Sequence, residues 1–250
     1  GGVYLLTVLV ILVSMEVGFR LGRFQNRSGR EEDQPPVGEM VAATLALLAF
    51  MLAITFSLAA ARFDVRRGLV IEEANAIGTT FLRSEMLAEP HRSQVQSLLR
   101  DYVDARLTAV QPDRLLEAIR RSEELQARLW AHAAAVGRDE PGSIVVGLFI
   151  SSLNEVIDLH AKRLALGLRS RIPLVIWMTL FFVSIVGTSL MGLHAGLIGP
   201  RRALAGTALT LAFSAVVMLI ADLDRSREGF MQVSQQSLME LRTSIQTDNP

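Results

Sequence analysis

The sequence predicts an all-α, polytopic membrane protein: about four transmembrane helices, with a helical-bundle extramembrane domain between the second and third. Half of the 250 residues are hydrophobic, and mean hydropathy is +0.36. The apolar residues fall in long blocks and do not alternate as half-buried strands require. Between the second and third blocks, apolar positions recur at spacings of three, four and seven.

A membrane-crossing helix needs roughly 20 predominantly apolar residues, because each adds about 1.5 Å across about 30 Å of hydrocarbon. Four stretches qualify: residues 3–19, 41–61, 172–198 and 203–221. The first is slightly short and ends at Glu16 and Arg20. It lacks an A-x-A-like site, so no cleaved signal peptide is expected. Spans one and two make a segment 1–61, with a polar loop at 20–38 that contains Pro35 and Pro36. The turn Gly199-Pro-Arg-Arg202 is too short to hold a domain, so 171–222 is expected to be an antiparallel transmembrane hairpin.

Residues 62–170 are expected to form a soluble four-helix bundle continuing from span two. Phe63, Val70, Ala74, Ile77 and Phe81 make one apolar stripe, interrupted by no breaker except Gly68. Pro90 suits the first turn of the next helix, with Val95, Leu98, Leu99, Tyr102 and Leu107 inward. Pro112 opens a third, with Leu115, Ile119, Leu129 and Trp130 inward and Gly137 as its stop. After Asp139-Glu-Pro-Gly142, a fourth uses Leu153, Ile157, Leu164 and Leu168. Four amphipathic helices can bury one another's apolar faces. The C-terminal segment 223–250 is amphipathic, with a weaker stripe at Phe230, Val233, Leu238, Leu241 and Ile245 that could dock on the bundle.

Charge and composition exclude several classes. With 25 basic and 25 acidic residues the net charge is zero, so no basic surface points to nucleic acid. Cysteine is absent, which removes disulfides, thiolate catalysis and Cys-based zinc sites. There is no glycine-rich phosphate loop, no H-E-x-x-H and no catalytic constellation. Neither enzyme activity nor a cofactor is expected, and no catalytic residue is assigned.

Three features carry candidate function. Glu16 lies at membrane depth with Arg20 four residues on, on the same face. The pair reads either as an interfacial ion pair or as a functional intramembrane charge. His194 and Glu39 read as interfacial. Span two has a stripe of small residues at Ala42, Ala46, Ala49, Ala53, Ser57 and Ala60, beside a bulky ridge at Phe50, Ile54 and Leu58. Small residues let another helix approach closely, so ordinary packing explains both. The sharper reading puts copies of span two around an axis, with the ridge as a hydrophobic constriction. The bundle has two polar clusters: Glu72, Glu73 and Asn75, and Asn154, Glu155, Asp158 and His160. Di-iron bundles use a Glu-x-x-His pair, whereas Glu155 is five residues from His160, so interhelical hydrogen bonds and a solvated face are expected there and a metal is not.

Several longer stretches resemble the bacterial bestrophin-like domain family. They are Glu72-Glu-Ala-Asn-Ala-Ile-Gly-Thr-Thr-Phe-Leu-Arg83, Leu98-Leu-Arg-Asp-Tyr-Val-Asp-Ala-Arg-Leu107, and Leu153-Asn-Glu-Val-Ile-Asp-Leu-His160. Asp222-Leu-Asp-Arg-Ser-Arg-Glu-Gly229 and Val233-Ser-Gln-Gln-Ser-Leu238 add to the likeness, which spans roughly residues 40–245. The family's name implies a distant similarity to bestrophins, which are pentameric anion channels. Their second span lines the pore through a hydrophobic neck. The stretch from Phe50 to Asp64 looks like that neck helix and its exit, so Phe50, Ile54 and Ser57 would face the pore. Two departures stand out. Asp222 and Asp224 are too sparse for the acidic calcium clasp of animal bestrophins, and Asp64-Val65 stands where many bestrophins carry an aromatic pair.

The resemblance implies a homo-oligomeric ion channel, a pentamer by precedent, in a bacterial inner membrane. Its partners would be the lipid bilayer, further copies of itself and a permeant ion, with chloride the bestrophin precedent. The other class of function is a non-channel membrane sensor or docking protein whose bundle binds a ligand or partner. With four spans, the bundle and both termini share one side of the membrane, expected to be cytoplasmic. Arginines crowd both faces, and the short loops weigh most in that choice.

Overall fold

The computed structural model describes residues 2–27, 37–169, 172–198, 203–225 and 231–247. Every regular element among the described residues is helical. In chain order they are α1 (Gly2–Arg27), α2 (Val37–Ser84), α3 (His91–Thr108), α4 (Leu115–Asp139), α5 (Ile144–Leu164), α6 (Leu174–Ile198), α7 (Ala203–Asp224) and α8 (Gln236–Thr247). A short 3₁₀ turn precedes α4 and a π turn follows α5. The chain divides into two compact units: Gly1–Arg62 with Arg171–Arg225, and Phe63–Ser170 with Ser226–Pro250.

The first unit holds α1, the first half of α2, α6 and α7. α1 runs past Phe19 to Arg27, so Arg20, Arg23 and Arg27, expected in a loop, are helical. The cause is the neighbour it follows. Asn26 Nδ2 donates to the Leu197 carbonyl (3.3 Å), satisfying one of the carbonyls a helix end leaves open. The rest of the expected loop, with Pro35 and Pro36, lies outside the described residues, as does the turn 199–202. α1 and α6 approach so closely that a Cβ at Gly18 would collide with the Ser189 carbonyl, and one at Gly192 with that of Met15. α2 meets α6 where Gly187 packs on Thr44 and Leu45, and the His194 ring lies beside Gly38. Asp224, at the end of α7, accepts the Ile172 amide at its Oδ1 (2.9 Å), and the same oxygen is 3.7 Å from Arg62 Nη1.

Among the described residues, four helices are long and apolar enough to cross a membrane: Leu5–Arg27, Val37–Ser84, Ile144–Gly167 and Leu174–Ile198. Ile144–Gly167 owes its hydropathy to a protein core. Phe149, Leu153 and Val156 are fully buried within the second unit, while Asn154, Glu155 and Asp158 line its outer face. The 22-residue α7, which packs on α1 and α6, is the fourth span in our reading.

The second unit packs α3, α4, α5, α8 and the end of α2 around one core that includes Ile77, Phe81, Leu99, Tyr102, Leu125, Leu129, Phe149, Leu153 and Leu238. α2 passes Gly68 without a break and reaches 48 residues, about 72 Å at 1.5 Å per residue. Pro90 is the N-cap of α3 and so precedes its first turn. Trp130, expected inward, is 43% exposed, because Leu125, Leu129, Ala133 and Val136 already form the buried side of α4. Gly137 does not stop that helix but lies against Ile150 of α5. Ser143 Oγ accepts the Val146 amide and starts α5. α8 docks on α3: Arg242 Nε is 2.7 Å from Asp104 Oδ1, and Arg100 Nε donates to the Ile245 carbonyl (2.8 Å). Phe230 and the side chain of Leu168 lie outside the described residues.

The α1–α6 contact leaves no room for a side chain. Gly192→Ala is therefore expected to lower stability by about 1–3 kcal/mol, the cost of overpacking. Gly147→Ala, with nothing within 4 Å of the added Cβ, should be neutral or stabilising. Thermal unfolding in detergent reads both, and equal midpoints would rule out the tight contact.

Candidate pore face and buried charge cluster

At about 100° per residue, α2 divides into three faces within the first unit. Val41, Leu48, Leu52 and Ala59 are buried. On the far side, Phe50, Ile54 and Leu58 are 64%, 45% and 40% exposed. Next to them, Ala42, Ala46, Ala49, Ala53 and Ser57 are also exposed, and Ala60 is half-buried. Neither the ridge nor the small stripe is covered in a single chain. Arg20 Nε lies 2.7 Å from Glu16 Oε1, and both side chains are exposed in the protomer.

The second unit brings together a different set. Glu73 is completely buried and meets three partners. Tyr102 Oη donates to its Oε1 (3.1 Å). Arg106 Nη2 donates to Oε2 (3.4 Å), with Arg106 Nε 2.9 Å from Oε1, and Arg163 Nη1 pairs with Oε2. Gln126 Nε2 donates to Tyr102 Oη (3.1 Å), and Arg163 Nη2 to Gln235 Oε1 (3.2 Å). His160 is also buried, tilted against Tyr102 at 6.3 Å between ring centroids. Neither of its nitrogens has a hydrogen-bond partner among the described residues.

Of the seven bundle residues singled out by sequence, then, only Glu73 and His160 reach this cluster. Glu72, Asn75, Asn154, Glu155 and Asp158 are exposed, and Asn154 Nδ2 simply donates to Asp158 Oδ2 (3.1 Å) one turn on. Tyr102 was expected inward, as it is, but only as a core residue, and Arg106, Gln126, Arg163 and Gln235 were not singled out. Tyr102 and Arg106 did carry a signal, since they are four apart on the buried side of α3.

The electrostatics follow from burial and pairing. The cluster lies beyond the apolar part of α2, which ends near Arg62, so its groups are outside the membrane spans. Burial pushes the Glu73 carboxyl up, but the charges of Arg106 and Arg163 outweigh it and hold the group below its ordinary 4.5. Burial, and then the Glu73 charge, push the Tyr102 phenol up from 10, so it stays a donor. Burial, followed by repulsion from Arg106, pushes His160 from 6.5 down to about 4, so it is neutral at pH 7.

The model of the bestrophin-like domain matches residues 5–238 of this chain. The chain belongs to the bestrophin-like family. Among solved structures it is similar to a bacterial bestrophin homologue from Klebsiella pneumoniae, in a point variant (TM-score 0.70, 13% identity, 98% of this chain and 97% of that one). A second structure of the Klebsiella pneumoniae homologue gives a TM-score of 0.68 at 14% identity, covering 99% of this chain and 98% of that one. No curated protein sequence matches. This bestrophin-like chain is thus a helical membrane protein that shares the fold of bacterial bestrophin homologues. The stretches that carry its family likeness also supply the cluster: Glu73 from the first, Tyr102 and Arg106 from the second, His160 from the third and Gln235 from the last.

Two stability outcomes follow. Glu73→Ala leaves two buried guanidiniums without their carboxylate and should cost about 3–5 kcal/mol. His160 binds its proton more weakly folded than unfolded, so stability should fall as pH drops from 6.5 towards 4, by roughly 3 kcal/mol at the limit. Glu73 has a depressed folded value, so its contribution is lost only as pH falls below 4.5. Unfolding midpoints measured from pH 7.5 to 4.5 should decline in the natural protein and decline less over pH 6.5–5 in His160→Phe, where His132, also pushed below 6.5 by burial and then by His91, still contributes. An equal decline in both proteins would remove His160 as its main cause.

Proposed function

We propose that this bestrophin-like protein is a homo-oligomeric ion channel, anion-conducting, in which α2 helices from several copies surround the pore. The observation that carries the reading is the uncovered double face of α2. A ridge of Phe50, Ile54 and Leu58 stands beside a small-residue stripe, on a helix whose opposite side is buried. Small residues permit close helix–helix approach, and a ring of bulky apolar side chains narrows a pore and gates it by dewetting. Residues four apart rise about 6 Å, so three such rings would make a neck roughly 12 Å long. Ser57 offers a hydroxyl beside the ridge. The assembly is a pentamer by bestrophin precedent. The helical unit and both termini face the cytoplasm of a bacterial inner membrane.

Ion flux from liposomes containing the purified protein tests this. Flux should follow a chloride gradient in preference to potassium or sodium, and Phe50→Ala or Ile54→Ala should raise it severalfold. Unchanged flux from correctly assembled double mutants would remove the neck assignment. Cation-selective flux would overturn anion conduction, and no flux under any gradient from folded protein would overturn the channel.

A further inference from the structure

Beside the buried cluster lies a cavity of about 100 Å³, within the second unit. Three arginines line it, Arg66, Arg106 and Arg163, with Gln232 and Gln235. The wall includes Val70, Leu115, Ile119 and Val233. Two of these guanidiniums, those of Arg106 and Arg163, share one carboxylate. Arg106 is 4% exposed and Arg163 16%, and Glu73 is the partner of both. A guanidinium has five N–H donors, and a carboxylate has only two oxygens. Glu73 also accepts from Tyr102, and Arg106 Nε is buried with no aligned hydrogen-bond acceptor among the described residues. Buried charges are ordinarily paired, and Glu73 with Arg106 and Arg163 carries one positive charge more than it neutralises. His160 is neutral and adds nothing to offset it.

We propose that this cavity binds a small aliphatic monocarboxylate. Its carboxylate would take the planar, two-point geometry that guanidinium forks favour and leave Arg106 and Arg163 with two anions between them in place of one. The apolar wall sets the rest of the ligand. A phosphate would turn oxygens towards Val70 and Ile119 without donors to receive them, and burying such unpaired polar groups is costly. A chloride ion would leave that wall uncovered. A short hydrocarbon body covers it. Apolar cavities of about 150 Å³ take benzene, so a volume near 100 Å³ suits smaller ligands, from acetate to butyrate.

The inference concerns binding alone and is independent of ion conduction. The test is calorimetric titration of the full-length protein in detergent, at constant ionic strength, with sodium butyrate, butyramide, sodium phosphate and sodium chloride. Butyrate should bind at least thirtyfold more tightly than its neutral isostere butyramide, and more tightly than phosphate or chloride. Arg163→Gln should abolish binding. Val110 also lines the cavity and is 46% exposed. Val110→Glu should therefore leave the unfolding midpoint unchanged and weaken butyrate at least tenfold, by placing a competing carboxylate at the site. Absence of butyrate binding, equal affinity for butyramide, or equal affinity for phosphate would overturn the proposal. So would an unaltered affinity in folded Val110→Glu.

Discussion

A carboxylate taken wholly out of water must be met by charge and hydrogen bonds, since isolated burial costs many kcal/mol. Glu73 is such a group, and meeting its requirements organises the helical unit. Its partners come from α3 through Tyr102 and Arg106 and from α5 through Arg163. Arg163 then reaches Gln235, just before α8. A half-satisfied network of this kind is worse than an apolar core, so the helices have one register in which all partners arrive together. The surrounding apolar core of Ile77, Leu99, Leu125 and Leu153 supplies the bulk of the favourable burial, while the charges specify which packing is adopted.

α2 carries this constraint at one end and the uncovered ridge at the other. Ile54 and Glu73 both belong to α2. In the apolar half, burial argues differently. Lipid is as apolar as leucine, so exposed Phe50 and Leu58 cost nothing against hydrocarbon, and hydrophobicity alone does not ask for a partner there. The alanine stripe is the more informative neighbour. It forfeits dispersion contacts against lipid unless another helix comes close, and close approach by a copy of the same helix would carry the ridge beside it towards a common axis.

The helices themselves were legible because period and length suffice for them. α2 reads through Gly68 since a single glycine costs only about 1 kcal/mol and no proline follows. Trp130 was misplaced because Leu129 beside it points inward, and neighbours on a helix are about 100° apart. The same rule sorted the acidic pair: with Glu73 inside, Glu72 falls to solvent. The charge cluster was far harder to see. Arg106 and Arg163 are 33 and 90 residues from Glu73, and arginine on an amphipathic helix reads by default as a solvated residue. Only the three-dimensional meeting of α2, α3 and α5 distinguishes these two from the surface arginines around them.

Hydropathy was equally unable to separate α5 from a true span, because a bundle core and a bilayer select the same apolar residues. What separates them is the opposite face, where Asn154, Glu155 and Asp158 would each be costly in hydrocarbon. The acidic pair at the end of α7 shows the reverse ambiguity. In sequence, Asp222 and Asp224 invite comparison with the acidic calcium clasp of animal bestrophins. In the structure, Asp224 is spent on protein groups: it accepts the amide of Ile172 ahead of α6 and sits near Arg62 as α2 leaves its apolar stretch. A divalent cation bound there would have to compete with a backbone amide and lie beside a guanidinium. The carboxylate thus serves the junction of three helices, and a role in closing the membrane unit follows from its contacts where a role in sensing calcium does not.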